Sequence, residues 1–184
     1  MTINYNALAR DIFEQNKAMG WWDDMDRCIY QCLQLVITEI AEATEGERKN
    51  LMDDHLPHRK MGEVELADAM IRMLDLGGRY GWEYEADDHM FEMILGSYNS
   101  FLALPIGGKH FLLSAMVSAL GTDYKHQRQS RIETFYSAFL YLVAKTAQFQ
   151  GYDLEGAIHE KLAYNRTRHD HSREARAAEG GKAF

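Results

Sequence analysis

The chain has 184 residues, enough for one domain or two small ones with a sizeable core. Hydrophobic content of 46% and charged content of 26% are ordinary for a globular protein, and no apolar run approaches the ~20 residues of a membrane span. The 20 Lys+Arg against 28 Asp+Glu leave a net charge of −8, which repels nucleic acid in bulk and argues against duplex binding, though not against a small phosphate ligand at a metal-neutralised site.

Only two prolines and few β-branched runs predict an all-α helical bundle. The opening Met1-Thr2-Ile3-Asn4-Tyr5-Asn6 lacks the basic and apolar regions of a signal peptide, so a cytoplasmic protein is expected. A first helix is predicted over 4–18, then a Gly20-Trp21-Trp22 turn, then a second helix over 24–49 with Asp24 as its N-cap. Cys28 and Cys32, four apart on that helix, have no partners at zinc-ligand spacing and read as buried reduced thiols. The same helix carries Glu39 and Glu42 among Leu33, Leu35, Val36, Ile37 and Ile40. Asn50 to Gly62, with Asp53, Asp54, His55, Pro57 and His58, reads as a loop. It either closes over a ligand, with His55 as its one general-base candidate, or is a solvated linker. The next helix, 63–80, brings Glu65 and Asp68 ahead of Met70, Ile71, Met73 and Leu74. Helices over 85–101, 109–121, 130–149 and 153–168 follow, with Pro105-Ile106-Gly107-Gly108 the clearest break. One all-α domain over 1–168, with halves near 20–104 and 109–168, and a flexible tail at 169–184 complete the expected organisation.

Glu39-x-x-Glu42 and Glu65-x-x-Asp68 are each spaced i, i+3, so both members of a pair leave the same helix face. Two bare charges ~6 Å apart repel by roughly 3 kcal/mol at an effective dielectric near 20, and four facing acids need a cation. Oxygen-only ligands on rigid helices suit a hard metal, Mg²⁺ or Mn²⁺. Two acidic solvent faces are the alternative reading of the spacing alone. Lys161, Asn165 and Arg168, at i, i+4 and i+7, form a polar stripe on the last helix. Alone it is a solvated face; beside a metal it is the second half of a triphosphate site.

A faint repeat at an offset of 70 aligns Gly81-Trp82-Glu83-Tyr84-Glu85 with Gly151-Tyr152-Asp153-Leu154-Glu155. A degenerate duplication of a four-helix unit, with only the first half keeping the acids, would produce it; so would chance.

In this order the motifs resemble the MazG-like and dimeric-dUTPase-like group of all-α NTP pyrophosphohydrolases. The group's Glu-Glu-x-x-Glu and Glu-x-x-Asp are matched by Thr38-Glu39-Ile40-Ala41-Glu42 and Glu65-Leu66-Ala67-Asp68. Its closing helix is matched by Asp153-Leu154, Ala157 and Lys161 to Arg168. Two departures stand out: Thr38 occupies the place of the group's first glutamate, and ~70 extra residues precede the closing helix. The resemblance implies Mg²⁺-dependent cleavage of a nucleoside triphosphate to the monophosphate and pyrophosphate. Glu39, Glu42, Glu65 and Asp68 would be metal ligands, with Glu39 and Glu42 also catalytic, and Lys161, Asn165 and Arg168 would bind phosphate. It also implies base contacts from Trp21 and Trp22, against which stands core packing of at least one of them. The expected partners are a nucleoside or deoxynucleoside triphosphate and further copies of the chain in a homo-oligomer, with no nucleic-acid duplex and no membrane. A non-catalytic nucleotide sensor or interaction protein on the same bundle is the rival reading. A di-iron carboxylate protein needs Glu-x-x-His pairs, which neither acidic pair supplies.

Overall fold

A computed structural model describes residues 3–85, 98–168, 170 and 172–180. The described residues form an all-α bundle of eight helices, with one isolated backbone bridge between Met52 and Lys60. They are α1 (Tyr5–Ala18), α2 (Ile29–Lys49), α3 (Met61–Tyr80), α4 (Tyr98–Ala103), α5 (Ile106–Lys125), α6 (Gln129–Gln150), α7 (Leu154–Thr167) and α8 (Arg173–Ala177). The helix expected over 85–101 falls largely on 86–97, outside the described residues. No described helix is long and apolar enough to cross a membrane.

α3 is the central helix. Val64, Leu66, Ala67, Ala69, Met70, Ile71, Met73, Leu74 and Leu76 are all buried, too many for a one-sided amphipathic stripe, and α1, α2, α6 and α7 pack around it. Close approach explains Gly78: a Cβ there would stand 2.3 Å from the Ala9 carbonyl oxygen of α1. α2 runs antiparallel to α3, burying Ile29, Leu33, Val36, Ile40 and Ala43 at helical spacing. α5 and α6 form a second antiparallel pair, closed by buried Asp123, which accepts from Arg128 at 3.1 Å and Arg131 at 2.9 Å.

The helix ends follow local chemistry. Asn4 caps α1 by accepting from the Ala7 N–H, and Asp153 caps α7 by accepting from Gly156. α3 and α6 both end on a left-handed glycine, Gly81 (φ +69°) and Gly151 (φ +73°). The next N–H, of Trp82 or Tyr152, returns to the carbonyl of Gly77 or Ala147, so these ends close alike at the offset of 70.

Two expectations are corrected. Asp24 is not the N-cap of α2: the helix starts at Ile29 after Cys28, and the Asp24 carboxylate instead accepts from the Asp26 N–H at 2.9 Å. Residues 19–27 are a turn structure, tied by the Arg27 guanidinium donating to the Trp21 carbonyl. Cys28 is therefore exposed at the helix end, and only Cys32 is buried.

The 50–60 loop is packed rather than open. Buried Asp53 accepts from the His55 and Leu56 N–H groups. Arg59 bridges Glu63 (2.7 Å), Glu160 (2.8 Å) and Asp153 (3.2 Å), pinning the loop to α7. At the C-terminal end, where a flexible tail is expected, residues 172–180 dock on the α1–α2 turn. Arg173 pairs with Asp23, and Arg176 donates to the Gly20 and Met19 carbonyls while lying 4.2 Å above the Trp21 ring.

Candidate metal centre and cavity

The two acidic pairs meet where α2 and α3 cross. Glu39, Glu42 and Glu65 each place one carboxylate oxygen within 4.8 Å of the others. Glu39 and Glu65 are buried, and Glu42 is exposed. This follows from antiparallel packing: a pair spaced i, i+3 on each helix points into the same interface.

Asp68 lies outside the group of three. It is joined to Lys161 at 2.9 Å, and Lys161 is 2% exposed. Its charge nevertheless acts on both Glu42 and Glu65. Arg72, one turn beyond Asp68, reaches across to Glu39 at 2.5 Å.

The proton affinities report the strain of gathering these acids. Burial, then the neighbouring charge of Asp68, pushes the Glu65 carboxyl far above the usual range, and Glu65 is hydrogen-bonded to Glu39. Two carboxyl groups can share such a bond only when one keeps its proton. Glu42 is raised by burial and by Glu39, and Asp68 by burial against the opposing pull of Lys161. Gathering these acids raises the proton affinity of Glu42 and Glu65, and a divalent ion held between them would offset the same repulsion. The donor set fits a hard ion, since all three groups offer oxygen and neither His nor Cys belongs to the cluster.

A cavity of about 440 Å³ opens beside the cluster. Glu39, Glu42, Thr38 and Asp68 line it near the acids, and Asn165 on α7 and Arg168 just past its end reach it from the other side. The stripe expected on the last helix thus does face the acidic pairs within one chain. Its members are engaged differently. Lys161 is spent on Asp68, Arg168 is paired in two-pronged fashion with Asp170 at 2.7 and 2.9 Å, and Asn165 keeps a buried carbonyl oxygen without a partner. Thr38 donates its hydroxyl to the Gln34 carbonyl.

Both tryptophans line the same cavity. Trp22 is core, 3% exposed, and its indole N–H donates to both oxygens of Asp75 at 3.0 and 3.1 Å. Trp21 is half-buried beneath Arg176. His55 is not among the residues lining the cavity: it is exposed on the loop with its ring 4.8 Å from that of Tyr164.

Sequence reasoning missed Asn16, Arg72, Asp75 and Arg176. Asp75 carried a readable signal, since an acid seven residues after Asp68 shares its helix face. The roles of Asn16 and Arg176 depend on chain folding over long separations and had none. The chain, an all-α bundle with three clustered glutamates of which Glu39 and Glu42 line a cavity, matches no protein-family model, no curated protein and no solved structure.

Proposed function

We propose that this protein is a Mg²⁺-dependent pyrophosphohydrolase acting on a nucleoside or deoxynucleoside triphosphate. One observation carries the reading: a single cavity is lined by Glu39 and Glu42 of the three-glutamate cluster and by Asp68 on one side, and by Asn165 and Arg168 on the other. Acids alone repel a triphosphate and cations alone do not need a metal; the combination suits a metal–triphosphate complex. Glu39, Glu42 and Glu65 would hold the ion, with Asp68 beside them. Bound there, Mg²⁺ (or Mn²⁺) neutralises phosphate charge and makes a water more acidic.

The chain's own groups supply the rest. A water oxygen bonds to the α-phosphorus as the bridging bond to the β-phosphate breaks, releasing monophosphate and pyrophosphate. Glu42, exposed and with raised proton affinity, is the carboxylate best placed to take the water's proton. Glu39, held by Arg72, fixes the cluster's position. Arg168 can exchange Asp170 for phosphate oxygens, and the unpartnered Asn165 carbonyl oxygen can accept from a sugar hydroxyl. Lys161 balances charge through Asp68, so the stripe's buried member acts on the acids before it acts on substrate. The test is pyrophosphate release from the eight common (d)NTPs with Mg²⁺, with products identified by chromatography.

A second reading has one observation in its favour. Arg72 and Lys161 already pair with Glu39 and Asp68, so the cluster is partly neutralised without metal. A nucleotide sensor or interaction protein on this bundle would bind triphosphates and release no pyrophosphate.

A further inference from the structure

The C-terminal segment joins two walls of the cavity. Arg168, at the end of α7, lines it on one side, and Met19 and Trp21, in the α1–α2 turn, line it on another. Beyond Arg168 the chain returns to that turn through α8. Arg173 grips both oxygens of Asp23 at 2.7 and 2.9 Å and donates to the Ala18 carbonyl at 3.2 Å. Arg176 donates to the carbonyls of Met19 at 2.9 Å and Gly20 at 3.1 Å, with its guanidinium 4.2 Å from the centre of the Trp21 ring. The turn is shaped to receive α8: a Cβ on Gly20 (φ +86°) would stand 2.5 Å from Arg173 Nε.

These contacts hold α8 in place weakly. It is five residues long and buries none of them. The Arg173 and Asp23 side chains are 54% and 57% exposed, and such a surface pair shifts an equilibrium by up to about fivefold. The guanidinium over Trp21 adds a comparable factor. Release of α8 therefore costs far less than unfolding and leaves the core intact. Its effect on the two tryptophans differs. Trp22 is locked in the core by Asp75, whereas half-buried Trp21 carries the α8 guanidinium on its ring.

We propose that residues 172–177 are a strap that closes the Trp21 wall on a ligand in the cavity. Docked, the strap holds the wall in place; released, it opens the wall for entry and exit. This inference rests on the triphosphate reading of the cavity and names how that site is closed. By linkage, the strap tightens ligand binding by the same factor by which the ligand tightens the strap. Arg173 and Asp23 are the handle, since neither is among the residues lining the cavity. Their opposite charges separate a strap from simple attraction. Acting on an anionic ligand by charge alone, Arg173→Ala would weaken binding and Asp23→Ala would tighten it. A strap requires both to weaken it.

The experiment measures kcat and KM for the eight common (d)NTPs with Mg²⁺ in the wild type, Arg173→Ala, Asp23→Ala and the charge-swapped double variant Arg173→Glu, Asp23→Arg. Each single variant should raise KM by about two- to fivefold with little change in kcat, and the swap should recover most of the loss. In parallel, the rate of tryptic cleavage after Arg176 is followed by mass spectrometry. A (d)NTP with Mg²⁺ should slow cleavage of the wild type by a similar factor, and less so in Asp23→Ala. Circular-dichroism melts confirm folding; if Arg173→Ala is unfolded, Asp23→Ala and the wild-type cleavage rates decide. Unchanged KM in both single variants, or opposite shifts in the two, overturns the strap and leaves the enzymatic reading standing. Nucleotide protection that is lost in Asp23→Ala, without pyrophosphate release, supports the strap and overturns hydrolysis. Neither protection nor pyrophosphate release with any of the eight nucleotides overturns both.

Discussion

Replacing Glu65 by Gln should make the metal-free protein more stable, by an amount that grows with pH. Glu65 and Glu39 are both buried with oxygens no more than 4.8 Å apart, where two full charges repel by about 3.5 kcal/mol at an effective dielectric of 20. The folded protein avoids that cost by keeping a proton on Glu65, whose affinity for it is raised by burial and by Asp68. The unfolded chain ionises Glu65 near the ordinary glutamate value of 4.5. A folded-state pKa above the unfolded one contributes stability that is complete below the unfolded value. That contribution is lost progressively as pH rises toward the folded value. Gln has no proton to hold, and its amide N–H can donate to Glu39 as the protonated carboxyl does. At pH 8 the gain should be about 2–3 kcal/mol, which is roughly 5–10 °C in Tm for a chain of this size. Paired thermal and urea melts of wild type and Glu65→Gln in EDTA, from pH 4.5 to 8.5, measure it. The two should converge at the acid end and separate as pH rises. A constant difference across that range, or a variant less stable at pH 8, would refute the account of a strained acidic cluster.

Mg²⁺ or Mn²⁺ should raise the Tm of the wild-type protein by mass action and have much less effect on Glu65→Gln, as read in a thermal-shift titration. Asp68→Asn should destabilise the fold by about 3 kcal/mol or more, because it leaves the buried Lys161 ammonium without its carboxylate; the double variant Asp68→Asn, Lys161→Met should recover much of the loss in urea melts. Arg168→Ala should slow pyrophosphate release by ~10²–10³-fold with an unchanged melting curve, provided that Arg168 meets charge growing on the leaving group. Arg176→Ala removes the guanidinium from Trp21 and two anchors of the α1–α2 turn. It should raise KM several-fold with little change in kcat and shift Trp fluorescence, and unchanged emission would show that Trp21 does not depend on it.

What was legible in the sequence is what repeats at short range. Apolar spacing and the scarcity of proline placed helices close to α1, α3, α6 and α7, and Asn4, Asp153, Gly81 and Gly151 mark their ends by chemistry confined to a few residues. The i, i+3 spacing puts each acidic pair on one face of α2 or α3, and the packing of those helices then gathers Glu39, Glu42 and Glu65. The start of α2 was misread because an Asp ahead of an apolar run looks like a cap, whereas residues 19–27 are spent on placing Trp21 and Trp22.

Charge balance was settled only by tertiary structure. Spacing puts Glu39, Glu42, Glu65 and Asp68 on common faces, but it does not tell which acid loses its freedom to a cation from elsewhere. Lys161, 93 residues after Asp68, takes that acid, and Arg72 takes Glu39. The far end of the cavity was equally unreadable, since Asn16, Trp22 and Asp75 converge from α1, the following turn and α3. Local periodicity encodes which face a side chain leaves, because backbone hydrogen bonding fixes it within a turn or two. Which groups meet across the bundle depends on how whole helices pack, and that is determined by the summed burial of the core.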